Sequence, residues 1–179
     1  MGIMKTIASV IGWIAVAEGF FIYYSRTRRN VLIFKFISDV LWSINLLLTG
    51  GYTGALLNVI AMGRETVFYH RGSKKWASHW GWLAFFIAVT ALSPTISLLS
   101  GKEGWIGVIP ALGSVLGVLT FYQKKPAATR YIGFFAQSLW LVYACFIHNV
   151  PSAACNTVLV ISTVAGTVRA IVAKKRKGM

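Results

Sequence analysis

Acidic residues are nearly missing from this chain: four Asp and Glu in 179 residues, with a charged fraction of only 12%. A soluble domain carries about 25% charged residues, so an ordinary water-facing surface is excluded. The two cysteines and three histidines (His70, His79 and His148) show no metal-ligand spacing. No nucleophile–base spacing is visible either, so an enzyme is not expected, and no cofactor is called for. Long polar linkers are also lacking, which leaves little chain for a soluble domain. What fills the sequence is apolar: 56% of residues are hydrophobic and the mean hydropathy is +0.67.

The apolar residues fall into seven runs, 6–24, 31–49, 52–69, 80–99, 105–122, 131–147 and 151–173. Runs of about 17–25 residues each span a bilayer as a helix. Barrel strands would be shorter and would alternate in polarity, which these do not. The expectation is an all-α integral membrane protein. The first run is too long for a secretory signal and lacks its basic start and small-residue cleavage site, so it is read as the first helix.

The net charge of +14 would suggest nucleic acid if the chain were soluble, but its distribution argues for a membrane. Fifteen of the 18 basic residues lie at helix ends on one side: Arg26, Arg28, Arg29 and Lys35; Arg71, Lys74 and Lys75; Lys124, Lys125 and Arg130; Arg169 and the tail 174–177. Lys5 and Lys102 fall on the other side, and Arg64 lies inside a run. The positive-inside rule then puts the N-terminus outside and the C-terminus in the cytoplasm, with the basic loops and tail against anionic headgroups. Cys145 and Cys155 come near the outer ends of helices 6 and 7, expected as two buried thiols, with a bridge between them as the alternative.

A shift of 98 residues aligns the chain with itself. It pairs Trp42 with Trp140, Asn58 with Asn156 and Arg71 with Arg169, and it places Trp and Asn sixteen residues apart in both copies. Helices 1–3 therefore repeat as helices 5–7. An odd helix between them keeps both copies in one orientation, an arrangement that builds some secondary transporters. The units are 1–72, a linker helix over 73–100 that opens on an aromatic belt of Trp76, Trp80 and Trp82, and 101–179 with the basic tail. At 1.5 Å per residue, Trp42 and Asn58 both come out near mid-membrane. An indole offers a flat face to the C–H side of a sugar ring, and an amide offers donors and an acceptor to hydroxyls. The bland reading is that each Trp packs and each Asn bridges helices.

Three helices, one linker and three helices, with a Trp on the second and an Asn on the third of each triplet, resemble the SWEET and SemiSWEET sugar transporters. The stretches G-V-I-P-A-L-G-S-V-L-G-V-L-T-F-Y and L-L-N-V-I look more like the YgjV-type bacterial inner-membrane proteins. The resemblance implies a 3+1+3 fold of two parallel three-helix bundles, in each of which the third helix packs between the first two. It also implies alternating access around a pocket contacted by Trp42, Asn58, Trp140 and Asn156. On this reading the chain moves a small polar solute, a sugar first, through the inner membrane. A vitamin- or nucleoside-like solute, or a non-transporting receptor or scaffold on the same fold, is the alternative. Oligomerisation is left open. The prolines of SWEET repeats are only partly present: Pro110 lies in helix 5, but Gly12 is its counterpart in helix 1.

Three of the four acids, Glu18, Asp39 and Glu65, fall inside runs of the first repeat, where the second has Leu116, Gln137 and Thr163. Charges in hydrocarbon must pair or line water. Neighbouring helical residues diverge, so Arg64 is expected to turn from Glu65 toward Asp39, or toward Glu18 as the alternative; the pair is read either as a static salt bridge or as a cytoplasmic gate or proton-sensitive coupling group.

Overall fold

A computed structural model describes residues 2–24, 27–71, 73–122 and 126–177. Arg26, Lys124 and Lys125, part of the expected basic rim, lie outside the described residues, as do the side chains of Arg28, Arg130 and 174–177. Seven α-helices follow the seven apolar runs: α1 Gly2–Tyr24, α2 Arg28–Thr49, α3 Tyr52–His70, α4 Gly81–Ser100, α5 Val108–Tyr122, α6 Pro126–Phe146 and α7 Val150–Lys177. The described residues contain no strand, only an isolated bridge between Arg71 and Lys74. Four helices, α1, α2, α4 and α7, are long and apolar enough to cross a bilayer by themselves. The apolar parts of α5 and α6 are shorter, and α3 is made less apolar by Asn58, Arg64, Glu65 and His70.

The molecule is polar inside and apolar outside. Ile3, Phe21, Leu47, Phe85, Leu99 and Ile161 are among the large side chains left exposed, while Asn45, Thr53, Arg64, Glu65, Asn149 and Ser152 are buried. Water would invert this order, but in lipid polar groups must find partners within the protein. Pro94 in α4 shows how that is done. It leaves the Thr90 carbonyl without its helical donor, and the Ser93 hydroxyl donates to that oxygen at 2.8 Å. Pro110 needs no such repair. It stands third in α5, within the first turn where amide hydrogens have no helical acceptor, so it breaks no hydrogen bond.

Helix α2 packs between α1 and α3, and α6 packs between α5 and α7. α1 meets α7, α3 meets α5, and α4 lies against α3 and α5. This corrects the packing order implied by the sugar-transporter resemblance: the second helix of each triplet is the middle one. Short connections make consecutive helices antiparallel neighbours, and here they do so at every turn. The neighbour pairs α1–α2, α2–α3 and α3–α5 return under the 98-residue shift as α5–α6, α6–α7 and α7–α1.

The turns repeat in finer detail. Gly50 closes α2 at φ 85°, with Gly51 N–H donating to Leu46 at 2.8 Å. Ninety-eight residues on, His148 stands at φ 53° and Asn149 N–H donates to Ala144 at 2.9 Å. A left-handed residue suits glycine and costs another L-residue about 1–2 kcal/mol. Gly50→Ala should therefore lower stability by about 1 kcal/mol and His148→Gly should raise it. Thermal unfolding midpoints that move in the same direction for both variants would contradict this account.

Candidate functional site

The four residues expected around a pocket occupy four different helices: Trp42 on α2, Asn58 on α3, Trp140 on α6 and Asn156 on α7. Trp42, Asn58 and Trp140 are half-buried, and Asn156 is buried. Trp140 meets Tyr143 edge-on, with ring centroids 5.9 Å apart, and packs beside the cluster of Leu46, Ala55 and Tyr143. The Asn156 amide donates to the Ser152 carbonyl at 2.8 Å, one turn back on its own helix, so that donor is engaged locally. Among the described residues no hydrogen bond or ring contact joins any two of the four. A groove of about 240 Å³ between α2 and α3 is lined by Leu32, Phe36, Ile37, Glu65 and Tyr69, and none of the four reaches it.

The charges arrange themselves differently from the expectation. Arg64 does not take Asp39 or Glu18 as its salt-bridge partner; its guanidinium contacts Glu65 at 3.0 Å, with both side chains buried. Adjacent residues diverge at their Cβ atoms, but four side-chain torsions let Arg64 fold back, and burial rewards any pairing within reach. Asp39 is paired with Lys35, one turn earlier on α2. Lys35 was assigned to the basic rim; instead its ammonium turns inward to a carboxylate that is 1% exposed. Arg64 and Glu65 lie within electrostatic range of Asp39. Glu18 on α1 faces Ser38, Lys35 and Asp39. All five charges thus form one cluster across α1, α2 and α3.

A second polar assembly lies at the end of the bundle formed by the α2–α3, α4–α5 and α6–α7 connections. Here the Glu103 carboxylate accepts the Thr53 N–H at 2.9 Å, the Tyr143 hydroxyl at 2.8 Å and the Ser97 hydroxyl at 3.4 Å. A carboxylate at the first turn of α3 also suits the positive end of that helix. The Tyr143 hydroxyl in turn accepts the Gly54 N–H at 3.1 Å. A Cβ on Gly54 would come within 2.7 Å of the Tyr143 ring, so this approach requires glycine.

The matching position of the first repeat is Asn45, 98 residues before Tyr143. Its oxygen accepts from Asn149 at 2.6 Å and its amide donates to the Ala8 carbonyl at 2.7 Å. Asn149 caps α7 by accepting the Ser152 N–H at 3.2 Å. In each repeat the second helix therefore grips the start of the third helix of the other repeat. Neither grip was anticipated. Asn149 two residues before Pro151 is a helix-start signal that could have revealed one; Glu103 in a glycine-flanked loop carries no such signal. Cys145 and Cys155 are both free thiols, exposed and half-buried respectively rather than buried.

A family model described as bacterial inner membrane protein, Imp-YgjV, matches residues 6–174. No curated protein and no solved structure matches the chain.

Proposed function

Given that the chain belongs to the Imp-YgjV family of bacterial inner membrane proteins, we propose that it moves a small polar solute, a sugar first, across that membrane by alternating access. The moving parts are two three-helix halves, α1–α3 and α5–α7, with α4 as the linker. The observation that carries this reading is the uneven way the halves are joined. Both grips between them, Asn45 with Asn149 and Tyr143 with Gly54, lie at one end. The buried residues of α7, Pro151, Ser152 and Asn156, fall in its first two turns, and 157–169 are half-buried or exposed. Halves clasped at one end and loose at the other are what a rocking transporter presents in one of its states. With the basic ends inside, the N-terminus and the clasped end are outward.

The solute site is assigned to Trp42, Asn58, Trp140 and Asn156. Asn58 makes no side-chain hydrogen bond among the described residues, which leaves its amide available to a hydroxyl. The sugar rests on that chemistry and on the resemblance to SWEET transporters. The test is uptake into proteoliposomes with a panel of sugars, nucleosides and vitamins. A sugar should accumulate, and Asn58→Ala should reduce its initial rate about tenfold, the equivalent of one good hydrogen bond, without changing the unfolding midpoint. Uptake of no panel member, or a sugar rate untouched by Asn58→Ala, would overturn the assignment.

A further inference from the structure

We propose that Glu18 holds an exchangeable proton within the membrane, making the first repeat a proton-binding site. The charge count within the cluster of Glu18, Lys35, Asp39, Arg64 and Glu65 comes first. Lys35 contacts Asp39 and Arg64 contacts Glu65, which matches two cations with two of the three carboxylates. Glu18 is the carboxylate left over. Both of its oxygens are shielded from solvent; the Ser38 hydroxyl faces them, and neither oxygen forms a well-aligned hydrogen bond among the described residues. An ion so placed must pair, reach water or lose its charge.

The surroundings supply the second observation. Asp39 and Glu65 are each 1% exposed, and the second oxygen of each, Oδ2 and Oε2, has no donor among the described residues. The cluster thus has acceptors in excess, and one donor would complement it. A proton on Glu18 is such a donor, taken from hydronium and returned to water, with the carboxylate becoming a carboxyl and no other bond changed. The three carboxylates do not form a group able to hold a metal ion.

The groups facing Glu18 decide how the proton leaves. From α2 these are Ser38, Lys35 and Asp39; beyond them on α3 stand Arg64 and Glu65. From α7 comes the Cys155 thiol, within electrostatic reach of Lys35. The Lys35 side chain is 30% exposed, which leaves its ammonium room to turn from Asp39 to Glu18 when that carboxyl ionises. The second repeat, with Leu116 for Glu18 and Gln137 for Asp39, has no equivalent.

The test is infrared difference spectroscopy of the full chain in lipid vesicles, following the carbonyl stretch of a protonated carboxyl from acid to alkaline buffer. The wild type should show a band that disappears reversibly as pH rises. Glu18→Gln, which copies the protonated shape, should lack it; Glu18→Asp should keep a band at a shifted frequency. Absence of a titrating band in the wild type, its survival in Glu18→Gln, or an unmoved band in Glu18→Asp would each overturn the site. The Glu18→Asp comparison serves alone if Glu18→Gln does not fold. The site stands apart from transport: failed uptake leaves the band in place, and a missing band leaves uptake unaffected as a question.

Discussion

Glu65→Gln should lower the stability of the folded protein by about 3–5 kcal/mol, the usual consequence of removing one partner from a buried ion pair. Gln keeps the volume of Glu, so packing is preserved and the loss is electrostatic. The Arg64 side chain is 8% exposed and that of Glu65 is 1% exposed, so solvent screens little. Arginine does not escape by giving up its proton. Replacing both members with apolar residues of similar size, Arg64→Met with Glu65→Leu, should restore most of the loss, since matched apolar packing commonly equals or betters a buried pair. Thr163→Ala, at the position of Glu65 in the second repeat, removes only a hydroxyl that bonds the Leu159 carbonyl of its own helix and should be close to neutral. Unfolding midpoints in a single detergent decide the matter. Equal shifts for Glu65→Gln and Thr163→Ala, or a double variant worse than the single, would mean that the pair does not govern this region.

That pair also shows where the sequence stops being legible. Run length and turn residues located all seven helices, because hydrophobic thickness and glycine punctuation are properties of local chain. The 98-residue repeat was legible too, and Gly50 and His148 extend it to the turn hydrogen bonds. Partner choice was not. Arg64 was expected to obey the divergence of adjacent helical positions, but that rule governs Cβ directions, not the tip of a long side chain. Lys35 was read as a headgroup anchor by its place near a helix end. Its spacing to Asp39, four residues along one helix, was the signal that favoured an inward turn. Neighbour order among helices was likewise hidden, because an amphipathic stripe says which face is covered and not by which helix. Of the proposed solute residues, the sequence supplied a matched pair of pairs. Nothing in a linear pattern could say that Asn156 would spend its amide on Ser152.

Glu103→Ala should loosen the clasped end by about 2–3 kcal/mol, the scale of charge-assisted hydrogen bonds. Two donors lose their acceptor at once, the Thr53 N–H and the Tyr143 hydroxyl, while the Ser97 hydroxyl keeps the Gly104 carbonyl within reach at 3.5 Å. Tyr143 is 0% exposed, so its hydroxyl has no solvent to replace the carboxylate, and α3 loses the anion at its first turn. At 1.4 kcal/mol per tenfold, hydrogen exchange in residues 52–57 should quicken roughly thirty- to hundredfold. Tyr143→Phe, which leaves Glu103 on Thr53, should have a smaller effect at the same amides. The other clasp, at the same end of the bundle, distinguishes a local cap from a gate. Asn149 holds Asn45 and the start of α7 through contacts separate from those of Glu103. If the two halves rock as rigid bodies, opening one clasp requires opening the other, because both close the same end. Exchange in residues 150–156 should then rise in Glu103→Ala as well, although no bond there has been touched. Faster exchange confined to 52–57 would make Glu103 a helix cap and nothing more, and it would remove the rocking motion from the proposed mechanism.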